Sequence, residues 1–245
     1  IYITNNIFRN QGYYGLYMYY PHNVQVSNND ILETSNSLYN SVYLYYPDGW
    51  ANFNNNKVIT TGANAYQGVY LDNYYSPTDT FKIYNNFISI SNNQTAHALY
   101  TTYLEPGLIA NNNILNECTD SSSNGAAFYV YGGYLTVQNN NFQHTGHGYA
   151  MFNDYYYGYS SDNNNYHTNG TKFIYYNYND YSNINDYITT ENIDTASISV
   201  DPIYVSSSDL HVSAVNLNAA GLPVSFVTKD IDNENRSSTP DIGAD

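Results

Sequence analysis

The chain has 245 residues and a net charge of −15, with only 11% charged residues but 32 tyrosines and 40 asparagines. A chain this acidic is a poor partner for nucleic acid or an anionic membrane, because phosphate groups are bound through Lys and Arg. A single cysteine, Cys118, excludes an intramolecular disulfide and a cysteine-rich zinc site. No apolar stretch is long enough for membrane insertion.

A short motif recurs along the chain: an apolar residue, any residue, two asparagines, any residue and a second apolar residue. Its copies begin at Ile3, Val26, Phe53, Ile83, Ile109 and Val137, with a weaker copy at Ser161. The first asparagines of successive copies are 23, 27, 30, 26, 28 and 24 residues apart. This regularity indicates a repeat protein.

A second type of segment alternates with the motif. It is short, rich in apolar and aromatic residues, and bounded by Gly, Asn, Ser and Pro, which is typical of strands. Its clearest copies begin at Gly15, Ser41 and Gly68, and looser copies begin at His97, Ala127 and Gly148. No stretch keeps a 3.6-residue period, so almost no α-helix is expected.

A unit of this length with two or three short strands cannot bury its apolar side alone and must stack on its neighbours. Leucine is too scarce for a leucine-rich repeat. The sequence therefore predicts an all-β parallel solenoid of about nine coils, each rising about 4.8 Å.

The asparagine pairs have a structural interpretation. We expect the second asparagine, such as Asn29, to occupy a corner in the left-handed conformation, which Asn tolerates. The first asparagine then points inward, where stacked amides form a hydrogen-bonded ladder. The predicted ladder consists of Asn5, Asn28, Asn55, Asn85, Asn111 and Asn139.

The repeat resembles that of the right-handed parallel β-helix proteins of the pectate-lyase-like superfold. The C-terminal stretch, with Asp201-Pro202, Ser208-Asp209, Asp230-Ile-Asp232 and the ending Asp241-Ile-Gly-Ala-Asp245, is similar to the closing segment of secreted β-helix proteins from Bacteroidota. The resemblance implies an extracellular or cell-surface location, and a sorting domain recognised by the type IX secretion machinery commonly follows such a segment.

The organisation follows from where the repeat is kept. Residues 1–205 are expected to be coils that belong to a longer polypeptide, because Ile1 already lies inside a coil. Residues 206–245 lose the repeat and gain Ser, Pro and Asp, which predicts a closing cap.

Tyrosines that alternate with core residues in the second segment should face solvent. Neighbouring coils bring such rings about 5 Å apart, giving an exposed aromatic surface of the kind that binds partners. Tyrosine is also simply a good strand former, so self-stacking is the alternative interpretation. The predicted binding residues are Tyr17, Tyr19, Tyr43, Tyr45, Tyr70, Tyr129 and Tyr131.

Catalytic patterns are weak. Asp72 and Asp154 should share a face but lie three coils apart, about 14 Å, which exceeds glycosidase spacing; Asp48 and Asp79 are expected in loops. Thr145-Gly146-His147-Gly148 resembles one element of polygalacturonases, without their other motifs. Three residues are weak evidence, and a glycine turn that enters a strand is the favoured interpretation.

No cofactor is expected, although Asp230, Asp232 and Glu234 have part of a Ca²⁺ loop pattern. The sequence favours a non-catalytic extracellular module with an adhesive or structural role that binds glycan or a surface protein. The alternative is a polysaccharide-active enzyme, a hydrolase or lyase, on a neutral glycan.

Overall fold

The computed structural model describes residues 1–73, 80–120, 124–155 and 157–245. Its strands are β1 (Tyr2–Thr4), β2 (Ile7–Arg9), β3 (Tyr14–Tyr19), β4 (His22–Ser27), β5 (Asp30–Glu33), β6 (Asn40–Tyr45), β7 (Asp48–Asn54), β8 (Lys57–Thr60), β9 (Gln67–Asp72), β10 (Phe81–Tyr84), β11 (Phe87–Ile90), β12 (His97–Ala110), β13 (Asn113–Asn116), β14 (Ala126–Gln138), β15 (Asn141–His144), β16 (Tyr149–Asn153), β17 (Tyr159–Asp162), β18 (Asn165–Thr168), β19 (Ile174–Tyr176) and β20 (Asn179–Tyr181). The helices are α1 (Ile184–Glu191) and a 3₁₀ turn, Val215–Leu217.

Apart from β20, which pairs antiparallel with β19, the strands stack in parallel on three faces, which confirms the predicted parallel solenoid. The tyrosine face contains β3, β6, β9, β16, β19 and the first halves of β12 and β14. The second face contains β1, β4, β7, β10, β17 and the second halves of β12 and β14. The third face, a separate seven-stranded sheet, contains β2, β5, β8, β11, β13, β15 and β18.

The core lies inside the three faces. The first apolar residues of the repeated motif pair in register from turn to turn and are fully buried; they include Val26, Phe53, Ile83, Ile109 and Val137. Because each turn leaves its apolar side chains against the next, burial is shared along the solenoid.

The asparagine ladder is real, but the prediction exchanged the two positions. The first asparagines (Asn5, Asn28, Asn55, Asn85, Asn111 and Asn139) adopt positive φ, between 52° and 59°, and form the corner. The second asparagines form the ladder: Asn29 donates from its backbone N–H and from its Nδ2 to Asn56 Oδ1, at 3.1 and 2.9 Å. The corner turns the first side chain outward and the second one inward.

The ladder spans six turns, from Asn6 to Asn164, fewer than the nine coils expected. The regular strands end at Tyr181, and α1 follows, where no helix was expected. Its Tyr187 is fully buried against Tyr166 and Tyr181, so the helix closes this end of the core. Among the described residues, no helix has the length and apolar character needed to span a bilayer.

Residues 201–245, called here the C-terminal segment, add no turn. They pack along the corner between the second and third faces, where the outward asparagines donate to their backbone carbonyls. For example, Asn85 Nδ2 donates to Lys229 O at 2.6 Å and Asn163 Nδ2 to Ala220 O at 3.1 Å. Leu210 and Ala244 cover Phe87 and Leu115 on the third face. The residues expected to close the solenoid, 206–245, thus contact its side.

Candidate functional site: the tyrosine face

One aromatic ring per turn forms a continuous line on the tyrosine face. This aromatic ladder pairs in register and consists of Tyr17, Tyr43, Tyr70, Tyr100, Tyr129, Phe152 and Tyr175. The centroids of neighbouring rings are between 4.2 and 5.4 Å apart. Because every second residue of these strands points inward, the residues next to each ring in the sequence face the core while the ring itself faces outward.

Most of these rings are stacked plane to plane. Tyr43 and Tyr70 differ in orientation by 3°, and Phe152 and Tyr175 by 9°. Rings stacked in this way cover each other's planes and present their edges and hydroxyl groups to solvent. Along most of its length the ladder therefore offers hydroxyl groups rather than flat aromatic surfaces.

A second line of rings flanks the first at one end. Tyr19 and Tyr45 stack at 5.1 Å and 3°, and Tyr19 is 61% exposed. In the following turns Asp72 and Thr102 occupy this line, before Tyr131, which contacts Tyr103. The seven predicted binding residues thus all lie on the tyrosine face, in two lines.

The aromatic ladder is interrupted between Tyr70 and Tyr100, whose planes are perpendicular at a centroid distance of 4.8 Å. Perpendicular rings cannot cover each other, so aromatic surface becomes available at this point. A pocket of about 350 Å³ opens there. This Tyr100 pocket is lined by Gln67, Tyr70, Thr95, His97, Tyr100, Asn124 and Tyr129.

The Tyr100 pocket contains polar side chains as well as aromatic rings. The side-chain amides of Gln67, which is partly exposed, and Asn124, which is exposed, line the pocket, and among the described residues His97 Nδ1 is buried without a partner. Burial lowers the pKa of His97 to about 3, so the imidazole is neutral at physiological pH. The ring contacts Tyr129 at 4.5 Å.

The tyrosine hydroxyls beside the pocket are protonated at neutral pH. Burial raises the pKa of both Tyr70 and Tyr129 above the ordinary tyrosine value. Tyr70 donates to Asp72 Oδ2 at 3.3 Å. Burial also raises the pKa of Asp72 to about 6, with the Tyr70 hydrogen bond opposing it, and Asp72 Oδ1 is buried without a partner.

The fold brings to this face several residues that were not among the predicted binding residues. Tyr100, Phe152 and Tyr175 continue the aromatic ladder, and the looser repeat copies at His97 and Gly148 already placed two of them in register. His97 and Asn124 carried no signal of their own. They reach the pocket because the starts of β12 and β14 lie side by side, with His97 paired to Ala126.

The acidic candidates do not assemble into a pair. Asp72 aligns through Thr102 with Tyr131, and Asp154 follows in the next turn, so about 14 Å of coil rise separates the two. Asp48 bonds the exposed His22 through its Oδ2 at 3.0 Å. Asp79 lies outside the described residues.

The suggested Ca²⁺ loop is occupied by its own hydrogen bonds. Asp230 Oδ1 accepts from the backbone N–H groups of Asp232 and Glu234, at 3.0 and 2.8 Å, and Asp232 pairs with His211. No group of three or more His, Cys, Asp or Glu residues suited to a metal occurs in the described ranges.

The Thr145–Gly148 turn has a packing role. A Cβ atom at Gly146 or Gly148 would collide with the backbone carbonyl of Cys118 or Gly125 in the neighbouring turn. The side chain of His144 is buried and accepts from Gly146 N–H at 3.0 Å. The glycines are therefore explained by close contact between turns.

A search found no matching protein family model, no similar curated protein and no similar solved structure. The assignment to the parallel β-solenoids therefore rests on the strand stacking and the asparagine ladder of this chain.

Proposed function

We propose that this chain is a non-catalytic β-helical module of a secreted or cell-surface protein that binds a glycan through its tyrosine face. The observation that supports the proposal is the aromatic ladder, a fixed line of protonated hydroxyl groups that opens into the Tyr100 pocket. Hydroxyl groups beside aromatic surface match the mixed polar and apolar character of a sugar. A surface protein that packs against the same face is the second candidate partner.

The test is binding to a glycan array and to immobilised polysaccharides. A triple variant, Tyr17→Phe, Tyr19→Phe and Tyr45→Phe, removes three hydroxyl groups from the face while keeping the rings stacked. We expect retention on the glycan to fall at least about tenfold, since each lost hydrogen bond contributes about 1 kcal/mol. A matched variant, Tyr2→Phe, Tyr134→Phe and Tyr178→Phe, changes exposed tyrosines outside the two lines. Equal retention of both variants and the wild-type protein would refute the proposal.

The alternative is an enzyme acting on a neutral glycan, and Asp72 is the residue that favours it. A carboxyl group with a pKa of about 6 has the property of a general acid. A glycosidase also needs a second carboxyl within about 5–9.5 Å, and Asp154 is three turns away. Release of reducing sugar from a bound polysaccharide, abolished by Asp72→Asn, would establish the enzyme instead.

A further inference from the structure

We infer that the Tyr100 pocket is a subsite for a single uncharged pyranose ring, held by the amides of Gln67 and Asn124 above the Tyr100 region of the aromatic ladder. The inference rests on the proposed function, because it names the part of the tyrosine face that takes a sugar and the class of sugar that fits.

The first observation is the volume of the Tyr100 pocket. Pockets for small molecules usually occupy about 300–1,000 Å³, and the Tyr100 pocket, with about 350 Å³, lies at the lower end. It has room for a pyranose ring with its hydroxyl groups, and further units of a chain would extend along the open face beside it.

The second observation is the orientation of the aromatic rings at the pocket. From Tyr100 to Tyr175 the ring planes are covered by their neighbours, as between Tyr100 and Tyr129, which are stacked at 4.6 Å and 13°. The perpendicular arrangement of Tyr70 and Tyr100 interrupts this stack. The C–H groups of a pyranose need such an aromatic surface, so the pocket is where a sugar ring can pack.

The third observation is the set of polar side chains that line the pocket. Gln67 and Asn124 each supply an amide that both donates and accepts, which matches hydroxyl groups better than it matches ions. Both amides line the pocket, and Gln67 is partly exposed and Asn124 exposed, so both are accessible to a ligand.

The fourth observation is the charge of the side chains in and around the pocket. No Lys, Arg, Asp or Glu of the described residues lines the pocket, and the imidazole of His97 is neutral. Carboxyl groups lie beside three of the lining residues: Asp120 accepts from Thr95 Oγ1 at 2.7 Å, Asp72 from Tyr70 and Asp154 from Tyr129. In a protein of net charge −15 these groups repel an anionic sugar.

The experiment measures binding of methyl glycosides to the full chain by saturation-transfer NMR. The neutral probes are the methyl glycosides of glucose, galactose, mannose and N-acetylglucosamine, and the anionic probes are methyl glucuronide and methyl galacturonide. We expect at least one neutral probe to bind, and its anionic counterpart to bind at least about threefold more weakly at low ionic strength.

The variant Gln67→Ala with Asn124→Ala removes both amides without touching the rings. It should weaken binding of the neutral probe about tenfold or more. The matched control, Gln11→Ala with Asn235→Ala, removes two exposed amides that do not line the pocket and should bind as the wild-type protein does. Circular dichroism confirms that both variants are folded.

Three results would overturn the inference: no neutral probe binds, an anionic probe binds more tightly, or the Gln67/Asn124 variant binds like the control. The proposed function fails separately, because its test uses Tyr17, Tyr19 and Tyr45, which do not line the pocket. Loss of polysaccharide retention in that variant, together with an inert pocket, would leave the face as a binding surface without this subsite.

Discussion

Asn86 donates twice to a single oxygen of Asn112: its backbone N–H and its Nδ2 both contact Asn112 Oδ1, at 3.0 and 2.9 Å. Both side chains are fully buried. The same two bonds recur between each pair of successive ladder asparagines from Asn6 to Asn164, so one residue in every turn satisfies two buried donors of the turn before it.

This arrangement predicts an asymmetric cost for mutating the two asparagines of a repeat. Asn112→Ala leaves the backbone N–H of Asn86 without its acceptor and removes one of the three acceptors of Asn86 Nδ2, which should lower the free energy of unfolding by about 2–5 kcal/mol. Asn28→Ala affects an exposed corner residue at φ 55° and should cost only about 1–2 kcal/mol, from the left-handed backbone. Urea denaturation followed by circular dichroism measures both. Equal losses would contradict the assignment of the ladder to the second asparagine.

The aromatic ladder should contribute to stability as well as to binding. Tyr100 lies 4.8 Å from Tyr70 and 4.6 Å from Tyr129, so Tyr100→Ala removes two ring contacts and should cost about 2–3 kcal/mol. The control is Tyr13→Ala, a 65% exposed ring whose closest aromatic neighbour, Tyr39, is 6.1 Å away. We expect less than about 0.5 kcal/mol there. A similar effect at both positions would mean that stacking is not what holds the ladder.

The corner asparagines should hold the C-terminal segment. Asn139 Nδ2 donates to Leu222 O at 2.6 Å, and its Oδ1 accepts from Leu222 N–H at 3.0 Å. Asn139→Gly removes both bonds without backbone strain, because glycine adopts φ 57° freely. Hydrogen exchange in 219–224 should accelerate about tenfold or more while the strands stay protected. Asn28→Gly, where the structure describes no side-chain hydrogen bond, should leave exchange unchanged. Unchanged exchange in Asn139→Gly would show that apolar contacts alone hold the segment.

Acid should destabilise the protein through its buried imidazoles. Burial lowers the pKa of His144 to about 3, whereas an unfolded histidine titrates near 6.5. The unfolded chain therefore binds more protons between these values, and the contribution of His144 to stability is lost as the pH falls from 6.5 towards 3. The difference between pH 7 and pH 4 is up to about 3 kcal/mol.

The variant His144→Gln isolates this contribution. Its free energy of unfolding should fall less between pH 7 and pH 4 than that of the wild-type protein, in which carboxyl groups of raised pKa, such as Asp72, act in the opposite sense. Comparing the variant with the wild-type protein cancels those groups. His22→Gln, in an exposed imidazole, serves as control. A pH dependence identical to that of the wild-type protein would show that His144 is not buried in neutral form.

The fold could be predicted because each turn of the solenoid corresponds to one copy of a motif that recurs in the sequence. The apolar residues at Val26 and Ile31 and their equivalents fix the register, and only stacking buries them. The predicted roles of Asn28 and Asn29 were interchanged, which shows what periodicity alone cannot determine. It locates a corner, but which of two identical residues points outward depends on which one adopts the positive φ. The predicted ladder was therefore displaced by one residue.

The site was predictable only in part. Tyr17, Tyr43 and Tyr70 alternate with core residues, so their exposure followed from strand geometry. The perpendicular packing of Tyr70 and Tyr100, which opens the pocket, depends on side-chain rotamers that no repeat pattern encodes. Gln67 and Asn124 line the same pocket although they are far apart in the sequence, and the repeat pattern does not mark either of them. The path of the C-terminal segment was equally hidden, since its contacts span up to 175 residues of sequence.

The asparagine ladder also has a polarity. Each Nδ2 from Asn29 to Asn140 also donates to a carbonyl of the preceding turn, but between the side-chain amides every bond from Asn6 to Asn164 runs from Nδ2 to the Oδ1 of the following turn, so the chain of amides has one direction. The last amide, Asn164, donates from its Nδ2 to Asp194 Oδ1 at 3.2 Å, and its backbone N–H donates to Ser197 Oγ. The donor end of the ladder thus meets a carboxyl group. Since each turn repeats the same bond, turns can be gained or lost in the middle of the solenoid without changing the chemistry at this terminus.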